Sequence, residues 1–398
     1  MEAFKNKGMI QLSNAVNMIQ SYSSAGKPET ADLDSALNRI LAEDIHSDMD
    51  MPPFNKSAMD GFACRLADIE QELEIIETIP AGKNPSLNIG KGQCSRIMTG
   101  APVPDGADCV VMVEDTEIVD GKMKVINHPG KSNICPMGED IRKGNTVLKK
   151  GTRLKPQHIS VLAAVGHVTP LVFREPVVAV IITGDEVVEP HIKPPHSKIR
   201  NSNGFQMLSL LKNSGCKAEY LGIFSDRMNI LEKAINSAFE TTGILIITGG
   251  ASGGDYDLVP PVLEKLGFHL HFTRVAIQPG KPFSFSTRDH LVCFGLSGNP
   301  VSSFVQFELL VRPYIDVLLG KKKESSFIKV RMSERITRKN AEREFFFPVG
   351  ITEEFQALPL EFHGSAHISA LTDAFGIASM PAGKTFIEKG DFTDVRPI

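Results

Sequence analysis

Cysteine is sparse and scattered in this sequence. The 398 residues hold six, Cys64, Cys94, Cys109, Cys135, Cys216 and Cys293, with no CxxC pair and no histidine cluster among them. That spacing argues against a zinc site or a disulfide framework and fits a reducing compartment. Long apolar runs are missing too: none approaches the roughly 18–20 residues of a membrane span. The opening residues, MEAFKNKGMIQLSNAV, lack the apolar centre of a signal peptide. Nor is charge of one sign in excess. A net charge of −4 gives no global attraction to nucleic acid or anionic membrane. The basic run Lys321-Lys322-Lys323 follows an apolar helix and reads as its solvated end. The expectation is a soluble cytoplasmic protein with neither a nucleic-acid nor a membrane partner. Apolar content of 42 % and charged content of 23 % suit a globular chain. The length allows two to four domains of about 100–200 residues each.

Leu12, Val16 and Ile19 put one apolar face on a helix over residues 8–20. A second short helix is expected over Ser35–Ile45, with Leu37, Ile40 and Leu41 on one side. Pro52-Pro53 then forces extended backbone. The loop that follows carries Asn55, Lys56, Ser57 and Asp60 between the apolar anchors Phe54, Met59 and Phe62. Such a loop can hold ligand contacts or be plain surface with hydrophobic feet. Between Ile75 and Val125 short β runs alternate with Gly/Pro punctuation, as in Cys94–Met98 and Cys109–Val113. Two more polar loops lie at Met98–Asp108, with Thr99 and Asp105, and at Pro136–Gly144, with Glu139, Asp140, Arg142 and Lys143. Residues 156–165 return to helical spacing. The pattern reads as a β module inserted into a helical piece built from both of its flanks.

From Pro176 the alternation is strand, helix, strand, which predicts an α/β unit with a mostly parallel sheet. The expected strands are Val177–Ile182, Glu219–Phe224, the run from Ile244 and Leu291–Leu296. Ligands bind such sheets where strands give way to loops at the C-terminal edge. Four such ends carry polar groups: Asp185 and Glu186, then Asp226, then Asp255 and Asp257, then Ser297 and Asn299. The third end, ITGGASGGDYD, has four glycines in six residues, Gly249, Gly250, Gly253 and Gly254, with Ser252 among them. Its amides could cradle an oxyanion and its aspartates a hydrated metal, or it could be a tight turn with solvated acids. After Leu319, residues 325–398 read as a small all-β domain, whose polar candidates Arg343 and Ser365 could equally be ordinary surface.

Taken together, the blocks MPPFNKSAMDGFA, SRIMTGAPVPDGAD, GEDIRKG, TGDEVV, ITGGASGGDYD, AIQPGKPFSF and LSGNPVSS closely resemble the molybdopterin molybdenumtransferase family, to which the gephyrin E domain is related. The resemblance spans nearly the whole chain. It implies an elongated helical subdomain (residues 1–45 with 141–175), an inserted β subdomain (46–140), an α/β domain similar to molybdopterin adenylyltransferase (176–324) and a C-terminal β-barrel (325–398). It also implies a homodimer with its active cleft between the α/β domain of one subunit and the β subdomain of the other. The implied reaction inserts molybdate into adenylylated molybdopterin, giving molybdenum cofactor and AMP with magnesium present. The adenylyltransferase itself and apo-molybdoenzymes are the implied protein partners.

Position by position, the resemblance implies catalytic roles for Asp60, Thr99, Asp140, Glu186 and Lys281, and magnesium ligation by Asp226 and Asp257. It implies substrate contacts from Gly249, Gly250, Ser252, Gly254, Pro279, Gly280, Ser297, Asn299 and Pro300, and from Arg343 and Ser365 in the C-terminal part. The sequence departs from the family pattern at Ser297, where proline is usual, at Ala251 and Gly253, where valines are usual, at Asn55 and at Gln278. Two other activities compete with this reading. One is adenylylation of molybdopterin, whose enzymes carry a GGTG-type turn and lack the long β insertion. The other is a non-catalytic scaffold of the gephyrin type.

Overall fold

The computed structural model of the chain describes residues 9–250, 258–321 and 327–398. They form two compact units, one of Thr30–Leu37 and Glu43–Pro170, the other of Met1–Glu29, Asn38–Ala42 and Leu171–Ile398.

The first unit is built on a six-stranded sheet of β1 (Gly61–Cys64), β2 (Leu73–Ile79), β3 (Gln93–Ile97), β4 (Cys109–Met112), β5 (Thr116–Val119) and β6 (Lys122–Val125). Their spatial order is β4-β1-β3-β2-β6-β5. All four residues of β1 are buried, which suits its short apolar sequence between two neighbours. Cys64 on β1 is in register with Cys94 on β3 and with Cys109 on β4. The three thiols join Phe62, Leu73, Val111 and Met123 in one core. The helix expected near residue 156 forms at Pro156–Ala164, with proline in its first turn, where a missing N–H costs nothing.

The expected helix over Ser35–Ile45 does not form. Helical geometry is confined to Leu33–Ala36, and Asn38 takes the left-handed φ of 68°. Beyond it the chain pairs as a strand: Phe173 N–H donates to Ile40 O, and Ala42 N–H donates to Leu171 O. Ile40 and Leu41 are buried through this pairing while Leu37 stays exposed. A short segment has too few helical hydrogen bonds to outweigh such tertiary pairing.

The second unit contains the α/β sheet: β7 (Val177–Thr183), β8 (Lys217–Phe224), β9 (Ile244–Thr248), β10 (His269–Arg274), β11 (Pro282–Arg288) and β12 (Leu291–Leu296), in the order β8-β7-β9-β12-β11-β10. The first four run parallel; β11 is antiparallel to β12, and β10 to β11. Strands β10 and β11 escaped the sequence reading, although Phe283 and Phe285 alternate with Ser284 and Ser286 as a strand requires. Helices are α1 (Leu12–Ser21), α2 (Asn203–Ser214), α3 (Met228–Thr241), α4 (Val259–Lys265), α5 (Pro300–Gln306) and α6 (Arg312–Leu318), with a π-helical turn at Phe307–Val311 between the last two.

Strand β7 feeds both faces of the sheet. Val178, Val180 and Ile182 share a core with Ala15 and Ile19 of α1, Met207 and Leu211 of α2, and Val301 and Val305 of α5. Ala179 and Ile181 share the opposite core with Leu231 and Ile235 of α3 and Val259 and Val262 of α4. Burial on both faces is why these strands read as continuous apolar runs.

The C-terminal strands are β13 (Ile328–Arg331), β14 (Glu344–Ile351), β15 (Ala357–Pro359), β16 (Gly376–Met380) and β17 (Phe392–Pro397). Four of them and the two-residue strand Ile277–Gln278 pair in the order Ile277–Gln278, β14, β16, β17, β13, while β15 pairs with β14. Ile277 pairs with Glu344, so the α/β sequence contributes a strand to this sheet. A buried ion network adds a second tie. Glu308, in the π turn, accepts from Arg396 Nε at 2.8 Å and from Arg312 Nη1 at 3.0 Å. Among the described residues no helix is long and apolar enough to cross a membrane.

Candidate functional site

The connections leaving β7 run to β8 on one side, and the chain returns to β9 on the other. The strand order therefore reverses between β7 and β9, the place where open α/β sheets form a ligand crevice. Three strand ends meet there because they carry glycine. Gly249 has φ +96°, and a Cβ on it would lie 2.3 Å from the Thr183 carbonyl oxygen. Gly298 packs on the other side, its added Cβ falling 3.6 Å from Gly249 Cα. The Gly249 N–H donates to Leu296 O at 3.2 Å. That amide is thus taken by the neighbouring strand, and what Gly249 supplies is close approach. Ser252, Gly254, Asp255 and Asp257 lie outside the described residues.

Acidic groups gather at the ends of β7 and β8. The Glu186 carboxylate folds back over Gly184, where an added Cβ would meet Glu186 Oε2 at 2.8 Å. Asp226 holds its proton more tightly than an ordinary aspartate. Partial burial is the main cause, followed by the charges of Glu186 and Asp185. Carboxylates that repel one another in this way suit a cation. No group of three His, Cys, Asp or Glu among the described residues could hold one. Magnesium bound through one or two carboxylates, water and substrate phosphate needs no such cage, so Asp226 and Glu186 fit that mode.

Two more predicted positions reach the same rim from loops of the C-terminal part. The Ser365 carbonyl accepts the Val301 N–H at 3.0 Å, at the start of α5, beside Ser297, Asn299 and Pro300. Asn299 N–H in turn donates to Ser297 Oγ at 3.2 Å. Arg343 Nη1 donates to Ile277 O at 3.0 Å and so stands at the entry to the loop Gln278-Pro279-Gly280-Lys281, on which Lys281 is exposed.

Sequence reasoning missed two residues here. Asn203, at the start of α2, donates to Gly298 O at 2.8 Å, while its buried Oδ1 has no partner among the described residues. Gln306 links the Lys281 loop to Ser297. A glutamine in an otherwise apolar helix was the available signal for the second; nothing in the sequence singled out Asn203.

Asp60, Thr99 and Asp140 belong to the first unit. Asp60 Oδ1 accepts the Thr99 N–H at 2.6 Å and the Thr99 hydroxyl at 2.8 Å. These two bonds, with Arg96 nearby, hold its carboxyl below the usual range. The three loops singled out in the sequence are stitched together. Ser57 N–H donates to Ala101 O, Val103 N–H to Asn55 O, Gly138 N–H to Pro52 O and Asp140 N–H to Met51 O. Asn55 Oδ1 also accepts the Met137 N–H at 2.8 Å.

Comparisons with known proteins agree with this architecture. Residues 10–166 match the MoeA N-terminal region (domain I and II), residues 179–317 the model described as "Probable molybdopterin binding domain", and residues 329–398 the MoeA C-terminal region (domain IV). A protein of Bacillus subtilis named molybdopterin molybdenumtransferase is 34 % identical over 396 residues, covering 96 % of this chain and 92 % of its own. One from Staphylococcus aureus with the same name is 33 % identical, covering 98 % and 96 %. The crystal structure of a molybdopterin biosynthesis MoeA protein from Pyrococcus horikosii is 31 % identical, with a TM-score of 0.81 over 98 % of this chain and 99 % of that one. The α/β domain and its flanking parts thus define a multidomain protein of molybdopterin biosynthesis. Within that class, the chain belongs to the MoeA family, the molybdopterin molybdenumtransferases.

Proposed function

We propose that this protein inserts molybdate into adenylylated molybdopterin, releasing AMP and giving molybdenum cofactor. The observation that carries the reading is the convergence of five chain segments on the switch point of a MoeA-family α/β sheet: the ends of β7, β8, β9 and β12, joined by the Ser365 loop. Lys281 neutralises oxygens of the substrate's phosphoanhydride or of molybdate, and the Ser297–Pro300 turn orients them. Asp226 and Asp257 would hold magnesium, with Glu186 acting beside them as a catalytic carboxylate. When bound, the ion would offset the charge that builds as the phosphoanhydride opens. Asp60, Thr99 and Asp140 act from the β subdomain of the second subunit of a homodimer, across an inter-subunit cleft. This reading carries with it the four-part division of the chain, the closed C-terminal barrel, a cytoplasmic location, and exchange with molybdopterin adenylyltransferase and apo-molybdoenzymes.

The test is AMP release from adenylylated molybdopterin with and without molybdate and magnesium. Molybdate-dependent release supports the reading. ATP consumption with molybdopterin in the absence of molybdate would favour adenylylation instead, and inactivity under both conditions would favour a scaffold.

A further inference from the structure

Gln306 closes α5 and is fully buried, 0 % exposed, among apolar and small side chains. Every polar atom of its carboxamide is engaged. Oε1 accepts the Ser297 N–H at 2.8 Å. Nε2 donates to Gly280 O at 2.8 Å and to Pro282 O at 2.6 Å. Those two carbonyls flank Lys281, so one side chain grips the loop on both sides of the lysine and ties it to the first residue beyond β12. The loop is fitted to it: Gly280 has φ +101°, and a Cβ there would lie 3.0 Å from Gln306 Cγ. Immediately after Gln306 the helix changes to π spacing at Phe307–Val311, a deviation that recurs at functional sites.

A carboxamide is the side chain this arrangement calls for. It presents two donor hydrogens on one nitrogen and an acceptor beside them. A carboxylate would turn an acceptor toward two carbonyls, and a methionine would take from the two carbonyls and the Ser297 N–H the partner they have here.

The geometry points to Gln306 as a positioning residue that sets Lys281 against the Ser297–Pro300 turn, so that both meet the same anionic group of the substrate. This rests on the reading of Lys281 as a substrate contact. If Gln306 acts through Lys281, losing either must affect the same substrate, and losing both must be no worse than losing Lys281 alone.

The experiment compares Gln306→Met, Gln306→Glu, Lys281→Met, the double variant Gln306→Met/Lys281→Met, and Val305→Ala as a core control in the same helix. Each full-length protein is melted, and kcat and KM are measured for molybdate and for adenylylated molybdopterin. We expect Gln306→Met to raise KM about tenfold for whichever substrate Lys281→Met affects, with the other KM changed less than about twofold. Gln306→Glu should do at least as much, and serves if the methionine variant fails to fold. The double variant should match Lys281→Met, and Val305→Ala should melt lower with both KM values unchanged. An additive double variant, or KM values for Gln306→Met that match those of Val305→Ala, would overturn the inference. If no variant, nor the parent protein, turns over, the proposed function fails instead. Calorimetric Kd values for molybdate and for AMP then decide the Gln306 claim by the same comparison.

Discussion

Alanine at position 249 sets two demands that the end of β9 cannot meet. The backbone there has φ +96°, and the new Cβ would lie 2.3 Å from Thr183 O and 2.7 Å from Thr183 Oγ1. The left-handed region costs a residue with a Cβ roughly 1–2 kcal/mol. No rotamer relieves an overlap with a backbone carbonyl. β9 must therefore shift against β7 in a core buried on both faces, a change of the kind that costs about 1–3 kcal/mol. The sum is about 2–5 kcal/mol, and at roughly 2–4 °C per kcal/mol the transition of this unit should fall by about 4–20 °C. Gly298→Ala is the matched control. Its φ lies outside the left-handed region, and among the described residues its Cβ would touch only Gly249 Cα, at 3.6 Å. It should melt within about 2 °C of the parent protein. Scanning calorimetry of the three proteins at one concentration makes the comparison. A Gly249→Ala transition level with that of the parent, or an equal fall in both variants, would refute the argument from close approach.

Burial and like charge raise the Asp226 pKa in the folded protein, so its ionisation weakens folding as pH climbs above the ordinary carboxylate range. Asp226→Asn should melt above the parent at pH 7, the gap should close on acidification below about pH 4, and magnesium should raise the parent's Tm more than the variant's. Thr99→Val removes the hydroxyl bond to Asp60 and keeps the backbone one, so the Asp60 carboxyl should titrate at higher pH in a carbon-13 NMR titration; an unmoved titration would refute the assignment. Glu308→Ala removes the carboxylate that Arg396 Nε and Arg312 Nη1 share and should cost more than about 1 kcal/mol in denaturant unfolding. A cost below about 1 kcal/mol would mean that this shared carboxylate contributes little to holding the two arginines.

What the sequence made legible follows from periodicity and punctuation. Val177–Thr183 and Ile244–Thr248 are apolar throughout because both of their faces are covered, and the acids and glycines after them mark where the cover ends. The Ser35–Ile45 helix failed because the spacing of Leu37, Ile40 and Leu41 carries no information about the pairing partner, which comes from Leu171–Phe173, far along the chain. The Asp60–Thr99 bond spans 39 positions. Both residues stood out as loop residues, but only the adjacency of β1 and β3 brings them together. Gln306 was hidden for a similar reason: its partners Gly280 and Pro282 reach it through a turn whose shape no local pattern announces.

The thiols give the protein an internal clock. Cys64, Cys94 and Cys109 are buried in the first unit, and Cys216 and Cys293 in the second. Burial pushes Cys94 and Cys216 up to about 12, so neither offers a thiolate to an alkylating reagent while its surroundings stay closed. Each reacts at the rate at which its own unit opens. Half-buried Cys135 should label first, as an internal reference. Mass spectrometry of a labelling time course would therefore read the opening of the two units separately, in the unaltered chain, and would show which of them substrate, magnesium or AMP slows.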